Sequence, residues 1–175
     1  MNKFIYLSLI LMQLTSCSFS SGQFDLIKNM ISPENNSFKP EKNWNVYWMD
    51  RKIGLYAINA HDQIIFADEK INIFYKDKQI YKITGLLPEL QTLEIESKDN
   101  LLLFMSDGRH IGVDSCELGY SVSIDENYEK YLRSCFSANT NKTYENHVVF
   151  NTEGMIISLR FKIHPEYNSL QLSMK

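Results

Sequence analysis

Glycine, proline and cysteine are all scarce in this chain, at 7, 4 and 3 of 175 residues. So little glycine and proline excludes collagen-like and low-complexity chains. Three cysteines cannot build a disulfide scaffold, and no CxxC or HxxxH spacing points to a zinc site. Positive charge is short too: 18 Lys and Arg stand against 21 Asp and Glu, net −3. A nucleic-acid partner would want a basic stripe, and none is present. No apolar run reaches the roughly 20 residues of a membrane-spanning helix. No GxSxG elbow surrounds Ser106, Ser115 or Ser134.

What is present begins at the N-terminus. Lys3 is followed by the apolar stretch Phe4 to Leu14, broken only by Ser8 and Gln13. As a helix this spans roughly 16 Å, too short for a bilayer core but right for a secretory signal. It ends in Leu14-Thr15-Ser16-Cys17, which reads as a bacterial lipobox: a branched apolar residue, two small residues and the cysteine that takes the lipid. The organisation expected is a signal peptide over 1–16, a lipid-anchored tether, short helix and linker over 17–43, and one β domain over 44–175. Several acyl chains on one residue hold stably at a membrane, where a single chain does not. Residue 18 is Ser and not the Asp that retains lipoproteins at the inner membrane, so the outer membrane is expected. Removing residues 1–16 takes away one lysine and no acid, so the mature chain is slightly more acidic.

With Cys17 acylated, Cys116 and Cys135 remain. An even pair in an oxidising compartment reads as a disulfide, worth roughly 3 kcal/mol for a loop of this length. Two buried thiols, or half a metal site completed by His110 and His147, are the alternatives.

Phe24, Ile27, Met30 and Ile31 lie on one helical face, and Ser32-Pro33 ends that helix. Beyond Asn43 nearly everything alternates at period two. Trp44, Val46 and Trp48 share one side of a strand, and segments near 53–58, 63–66, 71–76, 79–84, 90–96, 101–105, 110–116 and 119–124 follow. Asp77-Lys78 and Asp107-Gly108 read as hairpin turns. Residues 125–132 fit a short helix or a loop equally well. At the C-terminal end Met155, Ile157, Leu159, Phe161 and Ile163 face one way, with Ser158, Arg160 and Lys162 opposite. The fold class expected is mainly β: an antiparallel meander curled into a barrel or half-barrel, which relieves the sheet edges.

Candidate chemistry is thin. His61, His110, His147 and His164 are scattered, and Asp107-Gly108-Arg109-His110 is better explained by its turn. Asp68/Glu69 and Glu94/Glu96 lie beside each other and not across a cleft, as a glycosidase pair would. The expectation is therefore no catalytic residue, no metal and no cofactor. Aromatics gather in the first half, including Trp44, Tyr47, Trp48, Tyr56, Phe74, Tyr75 and Tyr81. Alternation sends some of these inward; Tyr47 and Tyr75 are the candidates for a strip on which sugar rings stack.

Two segments carry a resemblance. One runs from Phe66 through Asn72-Ile-Phe-Tyr-Lys-Asp-Lys-Gln-Ile-Tyr-Lys-Ile-Thr-Gly-Leu86 to Leu90. The other runs from Val148 through Gly154 and Arg160 to Leu170-Gln-Leu-Ser-Met-Lys175. They resemble the YjbF/GfcB family of lipoproteins, encoded with exopolysaccharide and group 4 capsule export systems. The helix after the lipobox also fits. The chain departs from the family in having Phe66 where Trp is usual, and in Cys116 and Cys135. The resemblance implies a β-barrel-like periplasmic lipoprotein that assists polysaccharide secretion and has no catalytic residues to carry over. Its partners would be the lipid membrane through Cys17 and a polysaccharide or an export-machinery protein. The same features suit a periplasmic immunity lipoprotein that neutralises a secreted toxin, or a lipid-binding half-barrel chaperone.

Overall fold

The computed structural model describes residues 42–86 and 92–175. The signal, Cys17, the expected helix and the linker as far as Glu41 lie outside the described residues. What is described is all strand and turn. β1 (Trp44–Trp48), β2 (Arg51–Ala60), β3 (Gln63–Ala67), β4 (Asn72–Lys76), β5 (Gln79–Thr84), β6 (Thr92–Lys98) and β7 (Leu101–Ser106) form the first run. β8 (Arg109–Cys116), β9 (Ser121–Ile124), β10 (Tyr128–Ser137), β11 (Lys142–Asn151), β12 (Ile156–Phe161) and β13 (Leu170–Met174) complete the chain. The undecided stretch 125–132 is thus the turn and first half of β10.

The period-two pattern folds as a meander in which every paired neighbour is antiparallel. β1 pairs with β13, Trp44 opposite Met174, and β10 pairs with both β8 and β11. The ring is therefore closed: a 12-stranded barrel, with β9 continuing β8's place along β10. Closure removes most of the edges that an open sheet would expose. Tight turns follow the residues that tolerate positive φ. Asp77 and Lys78 stand at 50° and 61°, Asp107 and Gly108 at 48° and 76°, the geometry that matches strand twist. Gly85 is demanded by its surroundings: at φ 73°, a Cβ there would lie 1.8 Å from the Lys70 carbonyl oxygen.

A 12-stranded circular barrel would be wider than side chains can fill. This one is flattened, because Tyr75 of β4 meets Phe161 of β12 across the interior at 6.5 Å between ring centroids. Trp44 packs edge-on against Phe66 at 4.7 Å. Phe66, Phe104, Leu55, Ile73, Ile80, Ile83, Leu159 and Leu172 are fully buried around them. Cys116 and Cys135 are directly opposed residues of β8 and β10, and are bridged.

The alternation of β12 departs from expectation at one place. Val149 pairs with Ser158 but Phe150 with Ile156, so Ile157 is the extra residue of a β-bulge. The bulge turns Ile156 inward in place of Ile157 and leaves Met155 exposed. Lys162, expected outward with Arg160, is buried, because β12 ends at Phe161 and the period ends with it.

In an up-and-down barrel alternate turns share an end. The β1–β2, β7–β8, β10–β11 and β12–β13 connections lie at one end, and the last of them, 162–169, packs across it. Trp48 donates from Nε1 to the Asn168 carbonyl at 3.1 Å and meets Tyr167 edge-on at 5.6 Å. Ile163 and His164 are buried there, and a Cβ on Gly112 would lie 2.7 Å from Pro165, so the glycine admits the proline. The other end carries the β2–β3, β4–β5, β6–β7 and β9–β10 turns. It is built quite differently.

A cleft between β5 and β6

The opening starts from one extra residue. In the β4–β5 hairpin Phe74 pairs with Lys82 and Tyr75 with Ile80, which makes Tyr81 a bulge. A bulge sharpens the local twist and bends the strand. β5 consequently pairs with β6 only at Lys82–Thr84 against Thr92–Glu94. Beyond that the two strands part, and the Gln79 side chain donates to the Ile95 carbonyl at 3.2 Å where no ladder bond remains. The gap is an open cleft of about 740 Å³.

Its walls come from elements far apart in the chain. β4 and β5 supply Lys76, Asp77, Tyr81 and Lys82; β6 and β7 supply Glu94, Glu96, Ser97 and Met105; Tyr120 and Arg133 close it from β10's side. Tyr120 donates its hydroxyl to the Lys78 carbonyl at 3.0 Å, which holds the β4–β5 tip over the barrel mouth. Lys78 then sits with Nζ 4.5 Å from the Tyr131 ring centroid, a cation–π contact. Burial pushes the Tyr120 phenol above its usual range, against a weaker opposing pull from Arg133.

Arg133 is the fixed cation of the site. It lies two residues before Cys135 on the same inward face of β10 and is only 6% exposed. Its guanidinium donates to Ser97 Oγ at 2.7 Å, to the Asp99 carbonyl at 3.0 Å and to the Glu117 carbonyl at 3.0 Å. All three acceptors are neutral, so the positive charge is solvated but not cancelled. Lys82, by contrast, is paired with Glu94 at 3.0 Å, and Lys76 with Asp62. That pairing holds Asp62 below the usual carboxylate range, chiefly through the hydrogen bond from Lys76. The cleft therefore offers a buried guanidinium, two tyrosines, Met105 and the rim carboxylates Asp77 and Glu96. No histidine is among its described lining residues, and its one serine hydroxyl already accepts from Arg133.

The residues singled out in the sequence lie elsewhere. Tyr47 is 37% exposed on the outer face of β1, with Lys52 Nζ 5.4 Å from its ring centroid. Tyr75 is 5% exposed inside the barrel, and its buried hydroxyl has no hydrogen-bond partner among the described residues. The barrel wall separates the two, so they form no common strip, and neither lines the cleft. His61, His110, His147 and His164 stay apart, and no three His, Cys, Asp or Glu side chains among the described residues converge as metal ligands would. Sequence reading passed over Tyr120 and Arg133; their only signal was position, two and four residues to either side of the cysteines' inward face.

The fold is similar to that of the hypothetical lipoprotein YmcC from Escherichia coli (K12). The TM-score is 0.50 at 10% sequence identity, over 87% of this chain and 96% of that one. At that identity the likeness is one of fold. No family model matches the sequence, and no curated protein does.

Proposed function

We propose that this chain is a non-enzymatic lipoprotein, held by acylated Cys17 at the outer membrane, that serves the export or assembly of exopolysaccharide or capsule by engaging a glycan in the β5–β6 cleft. The observation that carries the reading is the cleft itself: tyrosines and Met105 for the apolar faces of sugar rings, and Arg133, Glu96 and Asp77 for hydroxyl and charged substituents. Ligand sites have this make-up, an apolar lining with a few placed polar groups. Support for the setting comes from the lipobox, from the two segments that resemble the YjbF/GfcB lipoproteins, and from a fold shared with a chain described as a lipoprotein. The work assigned here is binding, for which an arginine held by neutral acceptors and an engaged serine are suited.

The test is genetic. Deleting the gene should reduce surface polysaccharide, and complementation with the wild-type chain should restore it. A Met105→Trp chain, its cleft filled but its barrel intact, should not. Normal polysaccharide in the deletion strain overturns the proposal. Killing of that strain only beside a toxin-delivering sibling would assign the chain to immunity instead.

A further inference from the structure

Among the described residues β9 is a strand paired along one side alone. Ser121–Ile124 pair with Glu129–Leu132 of β10 on one side, and with nothing among the described residues on the other. Every second residue of such a strand turns its N–H and C=O outward. Edges are ordinarily blunted by shortness, proline, lysine, a bulge or an inward-pointing charge. Ser121-Val122-Ser123-Ile124 is short, at four residues, and has none of the others. It is also flanked by exposed apolar side chains: Leu118 at 79%, Val122 at 50% and Ile124 at 77% exposure.

Charge narrows the occupant. Glu117 lies before the strand and Asp125 and Glu126 directly after it, and none is in a salt bridge among the described residues. A second copy added antiparallel would bring these carboxylates together: with Val122 opposite Ser121 of the copy, Glu126 falls opposite Glu117, and with Val122 opposite Ser123 it falls two residues from it. Like charges directly opposed across a strand pair are destabilising. An anionic lipid surface meets the same repulsion. We infer that β9 is a docking edge for an extended segment of another protein, with alternating β-branched residues and basic residues at its ends, which joins the barrel by β-strand addition. This inference is independent of the glycan reading.

The test uses the full-length acylated chain in detergent micelles and synthetic peptides as probes. Lys-Lys-Thr-Val-Thr-Val-Lys-Lys should slow amide hydrogen exchange across Ser121–Ile124 in a saturable way. Glu-Glu-Thr-Val-Thr-Val-Glu-Glu should not. Lys-Lys-Thr-Pro-Thr-Pro-Lys-Lys, of equal charge but unable to form the ladder, should not either. In the Glu117→Lys/Glu126→Lys variant the preference should reverse, with the acidic peptide protecting the strand and the basic one losing its effect. The inference is overturned if the basic peptide gives the outward-facing amides no protection, if the proline peptide protects them equally, or if those outward-facing amides are already protected in the free chain. A concentration-dependent dimer that buries β9 would overturn it in favour of a second copy. Loss of surface polysaccharide in a cleft variant with β9 binding intact would leave it standing, so the two readings fail separately.

Discussion

The two ends of the barrel use the same kinds of residue to opposite effect. At the cleft end the ion pairs face water: Lys82 and Glu94 are each 37% exposed at the side chain and meet at 3.0 Å. Such a pair contributes about 0–1 kcal/mol. At the plugged end Lys162 and Asp114 are 7% and 0% exposed, with Nζ 3.8 Å from Oδ2. The Tyr144 hydroxyl donates to the same Asp114 oxygen at 2.8 Å, and Lys162 Nζ lies 4.7 Å from the Tyr144 ring centroid. Burial pulls the Lys162 ammonium below its usual range against the pull of Asp114, and pushes the Tyr144 phenol well above its own. One end can exchange charges and partners with little consequence for the fold. The other has taken a cation and an anion out of water, and each holds only while the other is there.

The sharpest way to break that contrast is to remove one buried partner. Lys162→Met leaves Asp114 buried without its cation partner, which should cost about 3–5 kcal/mol in chemical denaturation. Adding Asp114→Leu should recover most of the loss, since a matched apolar pair has no desolvation to repay. A single substitution costing under about 1 kcal/mol would show that this end is as wet as the cleft. The disulfide comes next. Cys116–Cys135 closes a loop of sequence separation 19 where β8 gives way to the β9–β10 arm. Replacing both with Ser should cost about 3 kcal/mol. Hydrogen exchange should rise first in residues 117–132, at the cleft end, with 162–169 following only on global unfolding.

The same contrast marks what could be read from sequence. Strands whose inner and outer faces differ strongly, such as β1 and β13, were legible because burial follows composition there. β10 was not, since its first half is exposed or half-buried on both faces and offers no alternation to find. The inward turn of Ile156 was hidden by the bulge at Ile157, because a bulge depends on the partner strand and leaves no local mark. Lys162 read as a solvated residue until Asp114, distant in sequence, was brought beside it. The cleft could not be foreseen for a similar reason. Its walls are ordinary strand residues, and the opening arises from a register shift at Tyr81 and an arginine arriving from β10.

Acid should act on the plugged end before the cleft. His164 is buried against Tyr167 at 4.4 Å between centroids, and its Nδ1 accepts a hydrogen bond from the Glu166 amide at 3.2 Å. Burial holds its imidazole below the ordinary value, opposed by Glu166 and helped by Lys162. His147 is lowered in the same direction, by burial and then by Lys130 and Arg160. The unfolded chain, with ordinary histidines near about 6.5, therefore takes up protons first as the pH falls. Stability from these groups is complete above about pH 6.5 and declines below it, towards the folded values. Denaturation midpoints measured from pH 7.5 down to 5 should show that decline, and His164→Asn should lessen it by removing one of the two protons. An unchanged slope in the variant would place the acid sensitivity elsewhere.

The smallest effect expected on the fold belongs to the cleft. Tyr120→Phe removes one hydrogen bond to the Lys78 carbonyl, worth about 1 kcal/mol, and leaves a carbonyl that water at the barrel mouth can reach. Global stability should therefore change little. The β4–β5 tip, however, is tied down on this side by that bond and by the Lys78–Tyr131 contact. Freed of the first, the tip should exchange its amides at Asp77–Gln79 faster, while Asp114–Cys116 stay as they were. If the whole barrel lost stability in step with the tip, the cleft end would be part of the folding core. The division between an end that stabilises the fold and an end proposed to bind would then have to be abandoned.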